Sequence, residues 1–215
     1  MKTISLHDAV AMIPDGARLM IGGFMGVGTP ERLVDELVRQ GKRNLTVIAN
    51  DNALPGIGIG KLISAGAVKK TIASHIGLNP ETQKKMLAGE LEVDLVPQGT
   101  LIERIRAGGF GLGGVLTSTG VGTVVEKGKQ RIEVDGKPYL LETALRADFA
   151  LVDAFLADYI GNLYYALTAR NFNPVIAMAA DTVIVEAENI VPVGVISPDQ
   201  VMTPAPVVDY IISHA

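Results

Sequence analysis

The chain has 215 residues, 19 Lys and Arg against 23 Asp and Glu, a formal net charge of -4 and 48% hydrophobic residues. That length suits one domain, taken here as residues 1–215, and so much apolar content excludes intrinsic disorder. Mild acidity gives no basic face for nucleic acid or an anionic membrane, five Tyr and five Phe without Trp make no base-stacking platform, and zero Cys removes disulfides, thiolate metal sites and a cysteine nucleophile.

The first sixteen residues, MKTISLHDAVAMIPDG, lack the apolar core of a signal peptide, so the expected location is the cytoplasm. Residues 17–21 (ARLMI) form a short run, apolar apart from Arg18, as expected of a parallel strand buried on both faces. Thr29-Pro30-Glu31 then predicts a helix start, with Thr29 as N-cap and Pro30 at the first helical position; Leu33, Val34, Leu37 and Val38 share a face, and Gly41 stops the helix. Further strands are expected at 45–49, 68–74 and 92–96. A short helix is expected at 59–65, a second helix from Asn79-Pro80-Glu81 to Gly89, and a third at 100–107. Residues 107–125 are uncharged but carry seven Gly, which reads as loops and not as a membrane span. Asp135-Gly136 between 131–134 and 137–141 predicts a hairpin; strands follow at 149–153 and 182–187, with a helix from Asn173-Pro174 between them. The alternation predicts an α/β fold with an open, mostly parallel sheet flanked by helices and a small inserted hairpin.

The strongest chemical signal is DGARLMIGGFMGVGTP, residues 15–30. A buried strand runs into Gly22, Gly23, Gly26 and Gly28, and a helix follows at once. Such a loop lies at the carboxyl end of a strand, where α/β sheets bind ligands, and the helix N-terminus at Thr29–Arg32 would offer N–H groups to an anion. A tight βα turn needs fewer glycines than four in seven residues, so a ligand loop is preferred. No Lys-Ser/Thr follows the glycines, which excludes a P-loop. Gly109, Gly111 and Gly114 match GxGxxG, but no apolar strand precedes them. Gln98 leaves the 92–96 strand, and its amide either donates to a developing oxyanion or simply bonds backbone. No GxSxG elbow surrounds any serine, and His7, His75 and His214 show no metal spacing. Asp51, Asp94, Asp148 and Asp153 fall at strand ends, where caps and turns explain them as well as catalysis would. The chain carries a binding loop without an evident nucleophile.

Asp15-Gly16, the apolar Leu19-Met20-Ile21, Gly22-Gly23-Phe24, Gly26 or Gly28, and Pro30 resemble the signature of the family I coenzyme A-transferase alpha subunit. Pro97-Gln98-Gly99-Thr100-Leu101, the stretch from Glu103 to Gly109, Thr119-Gly120, Gly122-Thr123, Val185-Glu186, Glu188-Asn189-Ile190-Val191 and Thr203-Pro204 extend the similarity over nearly the whole chain. The resemblance lapses at Phe110–Thr117, which leaves the preferred acid open. It implies that Phe24, Met25, Gly26, Val27, Gly28, Thr29 and Pro30 contact CoA and that Gln98 serves the oxyanion hole. It also implies that CoA is a substrate with no tightly bound cofactor or metal, and that short-chain acids such as acetate, butyrate and acetoacetate exchange it. The nucleophile implied is a glutamate in a Ser-Glu-Asn-Gly motif of a beta subunit, in a ping-pong cycle through a glutamyl-CoA thioester, with an α2β2 assembly. Here Ala187 and Ile190 flank Glu188-Asn189, so that motif is absent. The alternative is a non-catalytic sugar-phosphate-binding module on a related α/β fold.

Overall fold

The computed structural model describes residues 3–213. In chain order the elements are α1 (Leu6–Ala11), β1 (Arg18–Ile21), α2 (Glu31–Arg39), β2 (Leu45–Asp51), α3 (Ile59–Ser64), β3 (Val68–His75), α4 (Pro80–Leu87), β4 (Glu92–Leu95) and α5 (Gln98–Gly109). They continue as β5 (Gly114–Thr117), β6 (Arg131–Val134), β7 (Lys137–Thr143), β8 (Ala147–Asp158), β9 (Leu163–Tyr164), α6 (Asn173–Ile176), β10 (Ala180–Val191) and β11 (Tyr210–Ser213).

The main sheet runs β11-β10-β8-β1-β2-β3-β4, with every neighbour pair along this path parallel; β9 adds to β8 antiparallel. The chain advances from β1 to β4 towards one edge, then returns to the other side of β1 as β8. Strand progression therefore reverses beside β1, and the carboxyl end of β1 opens on the crevice where such sheets accept ligands.

Side chains alternate across the strands and explain their uniform apolarity. Leu19, Ile21, Val47, Ala49, Leu151 and Ile184 face one core with α2 and α3 residues Leu33, Leu37, Ile59 and Leu62. Met20, Ile48, Ala150, Val152, Val183 and Val185 face the opposite core with Leu101, Ile105 and Ile176. The central strands are buried on both faces, whereas the edge strand β4 carries exposed Glu92 and Asp94.

The expected α/β architecture is present, and three local readings change. The hairpin forms as expected, with Asp135 and Gly136 at φ +50° and +71°, but β5 joins it through β7 to make a three-stranded antiparallel sheet. Part of the Gly-rich 107–125 run is thus strand through its pairing with β7, and Gly114 must stay without a Cβ because the Glu142 carbonyl lies 2.4 Å from where one would stand. Strands β8 and β10 are each 12 residues long, well beyond the expected cores at 149–153 and 182–187, since they pair with each other along their length. Asn79 caps α4 through Thr82 N–H at 3.0 Å as expected, whereas Thr29 does not cap α2: Pro30 is the N-cap and offers no side-chain bond. No helix among the described residues is long and apolar enough to cross a membrane.

Candidate functional site

Residues Phe24 and Val27 exchange two backbone hydrogen bonds of 3.0 Å, closing a two-residue turn over Met25 and Gly26. Both central residues have positive φ, +51° and +91°, which is the type I′ geometry. Glycine takes the second position freely. Methionine in the left-handed region costs on the order of 1 kcal/mol, so something else must hold it. The turn stands at the carboxyl end of β1, and it projects Phe24 and Val27 outwards, 46% and 51% exposed. With Thr168 and Asn171 they line a cavity of about 480 Å³.

The other glycines are explained by packing. A Cβ on Gly22 would lie 1.9 Å from Asn173 Oδ1, and one on Gly28 would lie 2.5 Å from the Ala169 carbonyl. Asn171 and Asn173 strap the loop: Asn171 Oδ1 accepts from Gly23 N–H at 3.1 Å and its Nδ2 donates to Val27 O at 2.9 Å, while Asn173 Nδ2 donates to Gly28 O at 2.9 Å. The close approach inferred from glycine density is thus met at Gly22 and Gly28 by the 169–173 segment.

Asp51, the last residue of β2 and buried, holds the methionine. Its carboxylate accepts from Met25 N–H at 3.0 and 3.2 Å, from Ala53 N–H at 2.7 Å and from Asn50 Nδ2 at 2.6 Å. The amide oxygen of Asn50 in turn accepts from Gln98 Nε2 at 2.5 Å and from Ser74 Oγ at 3.3 Å. Gln98 opens α5 after β4, earlier than the expected start at Thr100, so its side chain reaches across β3 to β2. One carboxamide N–H is committed to Asn50, which orients the exposed head group. The two sequence motifs, separated by about seventy residues, meet through Asn50 and Asp51.

No sequence motif singles out Asn50, and Asp51 reads in sequence only as a strand-end residue. The signal available is polar Asn50-Asp51-Asn52 closing an apolar strand: all three are buried, and such groups need partners.

The N-terminus of α2 is not an open anion site. Glu186 of β10, 2% exposed, accepts from Arg32 N–H at 3.3 Å and from Leu33 N–H at 3.0 Å. Beside it Gly28, Thr29, Glu31, Asp153, Glu186, Glu188 and Asn189 line a cavity of about 580 Å³. Burial, reinforced by the charges of Glu186, Glu188 and Glu31, pushes the Asp153 carboxyl up to about 7. This sign of charge opposes a phosphate at Thr29–Arg32.

The histidines stay apart. His7 joins Glu36, Arg39 and Gln40 on the surface of α1 and α2; Arg39, then Gln40 and His7, hold the Glu36 carboxyl down to about 2. His75 is exposed at the end of β3, and His214 lies outside the described residues. Among the described residues no three His, Asp or Glu are placed to hold a metal ion.

A glycine turn and an oriented carboxamide thus stand together at the carboxyl ends of neighbouring parallel strands. Residues 3–214 match the coenzyme A transferase family, and the chain belongs to it. It is 58% identical over 211 residues to the acetate CoA-transferase subunit alpha of Escherichia coli strain K12, covering 98% of this chain and 96% of that one. It is 54% identical over 213 residues to the acetoacetyl-CoA:acetate/butyrate CoA transferase alpha subunit of Clostridium acetobutylicum, covering 99% and 98%. Among solved structures, an acyl-CoA transferase of Escherichia coli O157:H7, in a thioester complex with CoA, superposes with a TM-score of 0.87 at 25% identity. That match covers 98% of this chain but spans only 46% of the other.

Proposed function

We propose that this chain, over residues 1–215, is the cytoplasmic alpha subunit of a CoA-transferase that exchanges CoA between acetate or butyrate and acetoacetate. The observation that carries the reading is the meeting of the glycine turn and Gln98, through Asp51 and Asn50, at the carboxyl ends of the strands. Phe24 to Pro30 receive the CoA thiol end, with the exposed Phe24 and Val27 flanking it. Gln98 donates its remaining N–H to the acyl oxygen as that oxygen gains charge.

The nucleophile in this reading is a glutamate of a beta subunit, in a Ser-Glu-Asn-Gly motif, within an α2β2 assembly. Its carboxylate attacks the acyl-CoA carbonyl, giving an acyl-glutamyl anhydride and free CoA thiolate. The thiolate then attacks the glutamyl carbonyl, forming the thioester and releasing the first acid; the reverse steps load the second acid. Support for a partner comes from the alpha-subunit names of both relatives and from Phe24, Val27 and Leu167, apolar side chains left exposed around the crevice. The carboxylates beside α2 weigh against a sugar-phosphate module.

The test is CoA transfer from acetyl-CoA to acetoacetate or butyrate, with this chain alone and with its Ser-Glu-Asn-Gly subunit. Activity only in the mixture is expected. Activity of this chain alone would place a nucleophile here, and inactivity of both would overturn the reading.

A further inference from the structure

The geometry points to Asp51 as a positioning residue: its buried carboxylate holds Met25 in the left-handed conformation the Phe24–Val27 turn requires and, through Asn50, ties that turn to Gln98. The link to catalysis rests on the reading proposed above; the conformational claim stands without it.

Three observations combine. Met25 and Ala53 are both non-glycine residues at positive φ, +51° and +50°, and the backbone N–H of each donates to Asp51. One carboxylate therefore organises two left-handed residues on two different loops. Its remaining acceptor capacity takes Asn50 Nδ2, which fixes the Asn50 amide with its oxygen towards Gln98 Nε2. Finally, an ionised carboxylate accepts only, and all three groups bonded to it here, Met25 N–H, Ala53 N–H and Asn50 Nδ2, are donors. A carboxamide would bring an N–H₂ group against at least one of those donors, so Asp51→Asn is not conservative at this position despite its matching shape.

The consequence is that the donor to the acyl oxygen and the turn that flanks the CoA thiol share one anchor. A shift at the turn reaches Gln98 through two side chains, and the reverse holds as well.

The test uses residue-resolved hydrogen exchange on the purified protein, reading the Val27 amide. That N–H is bonded within the turn to Phe24 O and not to Asp51. In Asp51→Asn it should exchange about tenfold or more faster, with β2 amides such as Val47 unchanged. In Asp51→Asn combined with Met25→Gly, protection at Val27 should return to that of Met25→Gly alone, because glycine needs no help at positive φ. Unchanged Val27 exchange in Asp51→Asn, or equal loss in both backgrounds, would overturn the proposal. In the assembled enzyme Asp51→Asn should lower kcat about tenfold with Met25 present and less, but still measurably, with Met25→Gly, where only the tie to Gln98 through Asn50 is lost. If the unsubstituted assembly transfers no CoA, the functional reading fails while the exchange result still decides the role of Asp51.

Discussion

The carboxylate of Glu186 accepts the backbone N–H of Leu33 at 3.0 Å, joining residues 153 apart in the chain. It completes the first turn of α2, where Pro30 supplies no side-chain cap. A carboxylate at a helix N-terminus satisfies orphan donors and meets the positive end of the macrodipole. Glu186→Ala should lower unfolding stability by about 1–2 kcal/mol in urea titration. A smaller loss than Ser5→Ala at the α1 cap would show that α2 does not depend on it.

The same glutamate raises its neighbour Asp153, whose carboxyl moves from an ordinary 3.8 to about 7, first through burial and then through Glu186, Glu188 and Glu31. The folded state then holds a proton that the unfolded chain has released, so this contribution to stability is full below about pH 4 and is lost as pH rises through about 7. Asp153→Asn should flatten that decline and make the protein more stable above pH 7 by roughly 2–4 kcal/mol. Parallel pH profiles for both proteins would remove Asp153 from the account.

Glycines in one chain should respond oppositely to alanine. At Gly22 the new Cβ meets Asn173 Oδ1 at 1.9 Å and would displace the side chain that binds Gly28 O and Asp153 N. A loss of about 1–3 kcal/mol is expected. Gly99, inside α5 with nothing within 4 Å of its Cβ position, should gain about 0.5–1 kcal/mol on the same change. Denaturant midpoints of the two variants decide this.

Gln98 and Asn50 should act as a unit. Gln98→Ala is expected to lower kcat about 10²–10³-fold, as loss of one oxyanion donor does. Asn50→Ala removes the acceptor that orients it at 2.5 Å and should lower kcat less, with little added loss in the double variant. Additive losses in steady-state kinetics of the assembled enzyme would separate the two residues.

Much of this was legible in sequence because it is local. Apolar runs such as residues 45–49 mark strands buried on both faces; Asn79-Pro80 writes its own cap; Asp135-Gly136 writes its own turn. The glycine loop and Gln98 were identifiable as site candidates for the same reason, since each follows a recognisable strand. Sequence alone also showed that no cysteine or serine elbow could supply a nucleophile. What it could not determine depends on residues brought together by the sheet. Thr29 looks like a cap, yet Glu186 does that work because β10 passes the N-terminus of α2. Glycines 22 and 28 look like room for a ligand, yet the 169–173 segment fills the space beside them. Asp51 looks like any strand-end carboxylate until parallel pairing of β1, β2 and β3 sets it between Met25 and, through Asn50, Gln98. Secondary structure follows from spacing along the chain, whereas burial and hydrogen-bond partnership follow from which strands lie side by side, and only the folded sheet decides that.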